Sequence, residues 1–63
     1  MTMKNEVKLY HYSTGWSEMF LNGVYFTTRT WGEKIFRQNM MIKQLREYLG
    51  EKATYDIEIE ECE

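Results

Sequence analysis

Covalent chemistry on a protein chain needs nucleophiles, bases or metal ligands, and this sequence holds one cysteine, Cys62, and one histidine, His11. As a pair they would suit thiolate catalysis, with the imidazole as base. Cys62, however, stands among Glu60, Glu61 and Glu63, and negative neighbours oppose formation of a thiolate. One cysteine and one histidine cannot build a zinc cage, and a lone cysteine excludes an internal disulfide. Carboxylates are plentiful, but acid–base work requires a pocket that separates their pKa values, and so small a domain offers little concavity. The glycines stand singly at 15, 23, 32 and 50, spaced for turns and caps rather than for a phosphate cradle. No catalytic residue, metal or cofactor is expected from these residues.

Charge offers a different kind of chemistry. Asp56 to Glu63 holds five carboxylates and no base, whereas Arg29 to Lys52 holds six bases and three acids. The net charge is −2 and the pI near 5.4, which disfavours direct binding of nucleic acid through phosphate contacts. On a strand, Asp56, Glu58 and Glu60 would share one face about 6.6–6.8 Å apart. That repeat is of the order of the phosphate spacing along one nucleic-acid strand. Such a row could occupy a basic groove meant for DNA or RNA; the alternative is a solvated strand face.

The elements that must position these residues can be read from local patterns. Asn22-Gly23 between Trp16–Leu21 and Val24–Arg29 marks a type I′ hairpin turn. A two-residue loop sets Leu21 against Val24, Phe20 against Tyr25 and Met19 against Phe26. A short helix over 16–21, ending on Gly23, is the competing reading. Thr30-Trp31-Gly32-Glu33 fits a capping box with Thr30 as N-cap, and Trp31, Ile35, Ile42, Leu45 and Leu49 recur at helical spacing, interrupted by Gln38. The spacing predicts a helix over 31–49 ending at Gly50. Period-2 alternation over Glu6–Tyr12 and Thr54–Cys62 predicts two further strands. Sixty-three residues suffice for one domain with a thin core. No signal peptide or membrane span is expected, so the cytoplasm is the expected location.

The expected architecture is α+β, a two-layer β-β-β-α-β sandwich in which one helix covers one face of a largely antiparallel sheet. Val7, Leu9, Met19, Leu21, Val24, Phe26, Ile57 and Ile59 should meet the helix, with His11 on the same side of its strand. Phe36 and Met40 should point away from the sheet. The uncovered face should carry Tyr10, Tyr12, Trp16, Phe20 and Tyr25 with Glu18, Thr27, Arg29 and the acids of the last strand. Cross-strand aromatic packing explains part of such a set. Five aromatics on an open face also describe a contact surface, for a partner or for a second copy in a homodimer.

The order Leu9-Tyr10-His11-Tyr12-Ser13, then Gly23-Val24-Tyr25-Phe26-Thr27-Thr28, then a helix and Tyr55-Asp56-Ile57-Glu58-Ile59 resembles the N-terminal half of ADP-ribosyltransferase-like proteins. That resemblance implies that Tyr10, His11 and Ser13 would lie on the cofactor side of a nicotinamide-dinucleotide site. The family's catalytic acid belongs to its second half, and Glu58-x-Glu60 comes too early in the chain to replace it. In general character the chain is similar to small phage-encoded inhibitors of the anti-CRISPR kind.

Two functions are therefore expected to compete. The first is a non-enzymatic inhibitor, encoded by a phage or mobile element, that blocks a host nucleic-acid-handling or CRISPR defence protein. Its partner-binding residues would be Tyr10, Tyr12, Trp16, Phe20, Tyr25, Asp56, Glu58 and Glu60, and neither nucleic acid nor membrane would be bound directly. The second is a reduced ADP-ribosyltransferase-like domain that binds a nicotinamide dinucleotide. A flat aromatic face beside aligned acids favours the first; convergence of Tyr10, His11 and Ser13 on a concave pocket favours the second.

Overall fold

A computed structural model describes residues 4–63. The elements are β1 (Asn5–Tyr12), β2 (Trp16–Leu21), β3 (Val24–Arg29), α1 (Lys34–Leu49) and β4 (Tyr55–Cys62). They form an α+β domain in which the helix packs on a four-stranded sheet of order β3-β2-β1-β4. β1 pairs antiparallel with β2, and β2 with β3, while β4 lies parallel to β1. β3 and β4 thus run the same way, and a crossover through α1 must connect them. Residues 16–21 are a strand, and the helical alternative is excluded.

The hairpin turn forms where Asn22-Gly23 permits it, with φ of 52° and 82°. Asn22 also ties the turn to β1. Its backbone N–H donates to Glu6 O (2.7 Å), and its Oδ1 accepts the Glu6 N–H (2.9 Å).

Beyond Phe20↔Tyr25 the register departs from expectation. A bulge between Met19 and Phe20 sets Met19 opposite Thr27 rather than Phe26. Phe26 becomes the extra residue, and both it and Thr27 lean towards the helix: the Phe26 ring lies 5.2 Å from Tyr48, and Thr27 Oγ1 donates to Gln44 Oε1 at 3.1 Å. Thr27 and Arg29 therefore leave the aromatic face, and Thr28, opposite Glu18, joins it.

The helix starts later than the capping box implies. Glu33, not Thr30, is the N-cap, and its side chain makes no cap hydrogen bond. Gly32 breaks the expected first turn with a φ of 95°, and its carbonyl accepts a hydrogen bond from Arg37 Nη1 instead. Trp31 and Ile35 are consequently outside the core, 65% and 58% exposed. The buried helix stripe is Arg37, Met41 and Leu45, rotated from the expected one, with Ile42 and Leu49 on its flank. Phe36 remains exposed as expected, against Trp31 (centroids 5.5 Å apart), whereas Met40 is half-buried.

Val7, Leu9, Met19, Met41 and Leu45 form the core, with Leu21, Phe26, Ile57 and Tyr55 packed against it. Val24 and Ile59 were expected there but are exposed. Val24 sits at the hairpin tip, past the level at which Tyr48 meets Phe26. Ile59 lies on β4, and α1 comes closest to β2 and β3. The helix reaches β4 with long polar side chains: Lys34 Nζ to Glu61 Oε1 (2.8 Å) and Arg46 Nε to Tyr55 Oη (3.1 Å). Among the described residues no helix is long and apolar enough to cross a membrane.

Candidate interaction face

Strand alternation places Tyr10, Tyr12, Trp16, Phe20 and Tyr25 on the sheet face opposite the helix, and the antiparallel registers bring their rings together. Trp16 stacks on Tyr12 with centroids 4.2 Å apart and planes 17° apart. Tyr12 neighbours Tyr10 at 6.5 Å, Tyr10 meets Phe20 edge-on at 5.9 Å, and Phe20 meets Tyr25 edge-on at 6.1 Å. These separations fall in the range of favourable aromatic pairs. The result is one unbroken strip across β1, β2 and β3. Four of its rings are half-buried by one another, and Tyr25 is exposed.

Glu18 holds one end of the strip. The Tyr12 hydroxyl donates to Glu18 Oε1 at 2.7 Å. Ionising the phenol would lose this bond, desolvate a charge and set two negative groups together, so the Tyr12 pKa is pushed up from 10.0 to about 12. Beside the strip runs an open trough of about 720 Å3 bordered by Lys8, Tyr10, Tyr12, Glu18 and Phe20.

The parallel register continues this face onto β4, where Asp56, Glu58 and Glu60 lie opposite Glu6, Lys8 and Tyr10. The row of acids exists, but two of the three have lysine neighbours. Lys4 Nζ is 3.6 Å from Asp56 and Lys8 Nζ is 3.8 Å from Glu58. Among the described residues no base lies within ion-pair distance of Glu60. Both lysine contacts are long and exposed, a geometry that contributes little to stability. On the helix side of β4, the Lys34 ammonium bonds Glu61 and holds its carboxyl below the usual carboxylate range.

Tyr10, His11 and Ser13 do not all converge: His11 and Ser13 border one open hollow with Lys34, Glu61 and Cys62, but Tyr10 lies on the other face of the sheet. Tyr10 belongs to the aromatic strip, His11 points into the opposite, helix-covered layer, and Ser13 is exposed in the turn after β1. His11 is only 3% exposed and is committed to a buried polar chain. Arg37 Nε donates to Ser17 Oγ at 2.8 Å, and Ser17 Oγ is 2.6 Å from His11 Nδ1. His11 Nε2 is 3.1 Å from Gln38 Oε1. Gln38 Oε1 can only accept, so Nε2 donates to it. The Ser17–His11 pair has the spacing of a nucleophile and its base, but Ser17 is fully buried and its oxygen already accepts from a guanidinium.

No family model, curated protein or solved structure matches the chain. The residues alone therefore carry the functional argument.

Three features leave no legible mark in the sequence. Lys4 and Lys8 as neighbours of the acidic row follow only from the parallel register. Glu18 as the partner of Tyr12 depends on a diagonal contact across β1 and β2. Burial of Arg37 had no signal, because arginine in a helix ordinarily reads as a solvent-facing residue. His11 and Ser17 did carry one: each alternates in phase with the apolar residues of its strand.

Proposed function

We propose that this protein is a binding module that docks a partner protein on the open face of its sheet. The partner we propose is a nucleic-acid-handling protein with a basic groove, a class that includes CRISPR defence proteins, and docking would inhibit it by occluding that groove. The unbroken strip of rings from Trp16 through Tyr12, Tyr10 and Phe20 to Tyr25 carries this reading. Tyrosine and tryptophan supply large contact area with few rotatable bonds, and interfaces concentrate their energy in such residues. The adjoining carboxylates of Asp56, Glu58 and Glu60 give the face a negative border, which suits a basic partner and would steer its approach.

The test is capture of a partner from bacterial lysate on the immobilised protein, followed by titration of that partner in purified form. Tyr10→Ala and Phe20→Ala should each speed its dissociation, and DNA or RNA should compete with the protein for it. A partner that binds both variants as well as it binds the natural sequence removes the aromatic strip from the interface. A partner that holds nucleic acid and this protein at the same groove together rules out occlusion.

A further inference from the structure

The two edges of the sheet are finished differently. β3 is interrupted by the bulge at Met19/Phe20, a device that twists an edge away from further pairing. β4 has none. Its eight residues pair with β1 from Asn5↔Tyr55 to Tyr12↔Cys62 without a shift, and among the described residues its other side borders no strand.

The hydrogen bonds at the two ends of β4 show which backbone groups are free. Thr54 O accepts from Asn5 N–H and Cys62 O accepts from Ser13 N–H, both on the β1 side. Backbone polar groups alternate sides along a strand, so Asp56, Glu58 and Glu60 also turn theirs towards β1. Tyr55, Ile57, Ile59 and Glu61 therefore direct their N–H and C=O groups to the open edge.

The side chains along that edge define what fits it. On the open sheet face they are Asp56, Glu58 and Glu60; on the helix side they include Ile57, half-buried, and Ile59, 45% exposed. A second copy is a poor occupant, because β4 against β4 would set two rows of carboxylates together. A strand with bases on one face and apolar residues on the other meets both faces. Residues paired across a sheet share a face, so its bases would stand beside the three acids and its apolar residues beside Ile57 and Ile59.

We infer that the free edge of β4 takes up an extended basic segment of a partner protein as a fifth strand, with lysine or arginine alternating with apolar residues. This goes beyond the proposed aromatic interface and stands without it.

The probe is a fluorescent Lys-Val-Lys-Val-Lys-Val-Lys peptide, with anisotropy for affinity and amide hydrogen exchange for location. Binding should saturate and slow exchange at the Ile57 and Ile59 N–H groups. It should weaken about tenfold as salt rises through the range that screens surface charge. The same peptide N-methylated at alternate residues should not bind. The double variant Glu58→Lys, Glu60→Lys should exchange its preference for the corresponding Glu-Val peptide. Tyr10→Ala and Phe20→Ala should leave peptide affinity unchanged, which separates this site from the aromatic one. Absence of binding overturns the inference. So does binding that leaves Ile57 and Ile59 unprotected, survives N-methylation or is lost in the aromatic variants.

Discussion

The Tyr12 hydroxyl and the Glu18 carboxylate meet at 2.7 Å on the open face, the phenol donating. This bond fixes one end of the aromatic strip and makes it titratable. Absorbance titration should find Tyr12 ionising near pH 12 rather than 10.0, and Glu18→Gln should bring it back down. Because the folded value is the raised one, the contribution to stability is complete below the unfolded pKa and is lost as pH rises through about 12. An unchanged Tyr12 titration in Glu18→Gln would mean that the bond does not persist in solution.

Ser17→Ala should destabilise the fold by about 1–3 kcal/mol, because it leaves the buried Arg37 Nε and His11 Nδ1 without their partner. Chemical denaturation measures this as a lower midpoint. A midpoint equal to that of the natural sequence would show that water or another group replaces the hydroxyl at no cost.

Glu33 occupies the N-cap position with extended backbone angles and no cap hydrogen bond from its side chain. Glu33→Asp should therefore stabilise the helix, by about 0.5–1 kcal/mol, by bringing a carboxylate within reach of the first-turn N–H groups. Thr30→Ala should leave the midpoint unchanged, since Thr30 caps nothing here. A loss of stability in Thr30→Ala would restore the earlier helix start.

Replacing Asp56, Glu58 and Glu60 by Asn, Gln and Gln removes three charges while keeping shape and strand pattern. The variant should fold normally, bind the captured partner with a slower association rate and lose most of the salt dependence of that rate. Normal association in the triple variant, with failure in Tyr10→Ala, would confine the interface to the aromatic strip and leave the acids as a solvated margin.

Much of the fold was legible because its signals are local. Asn22-Gly23 specifies a turn by conformational preference alone, and alternation in Glu6–Tyr12 separates a core face from an aromatic one. The bulge was not legible, since Phe26 and Thr27 are equally able to oppose Met19; only the helix, offering Tyr48 and Gln44 to the two side chains, decides between them. The helix start departs from its local motif for a related reason. Thr30-x-x-Glu33 is a sound local motif, but Arg37 bonds the Gly32 carbonyl. At Gly32 a Cβ would stand 2.8 Å from the Phe36 ring, so that ring packs where only glycine leaves room. The five aromatic residues of the candidate face were readable from alternation, whereas the lysines beside the acids needed the parallel pairing of strands distant in sequence.

That pairing has a temporal side. Asn5 joins Tyr55 and Tyr12 joins Cys62, a constant offset of 50 positions, whereas β1, β2 and β3 are linked by tight turns. Contacts between near neighbours form before those that must close a long loop. β1 to β3 thus pair across short loops, whereas β4 must close a loop that contains β2, β3 and α1. The acidic strand is thereby the one whose docking carries the largest loop-closure cost.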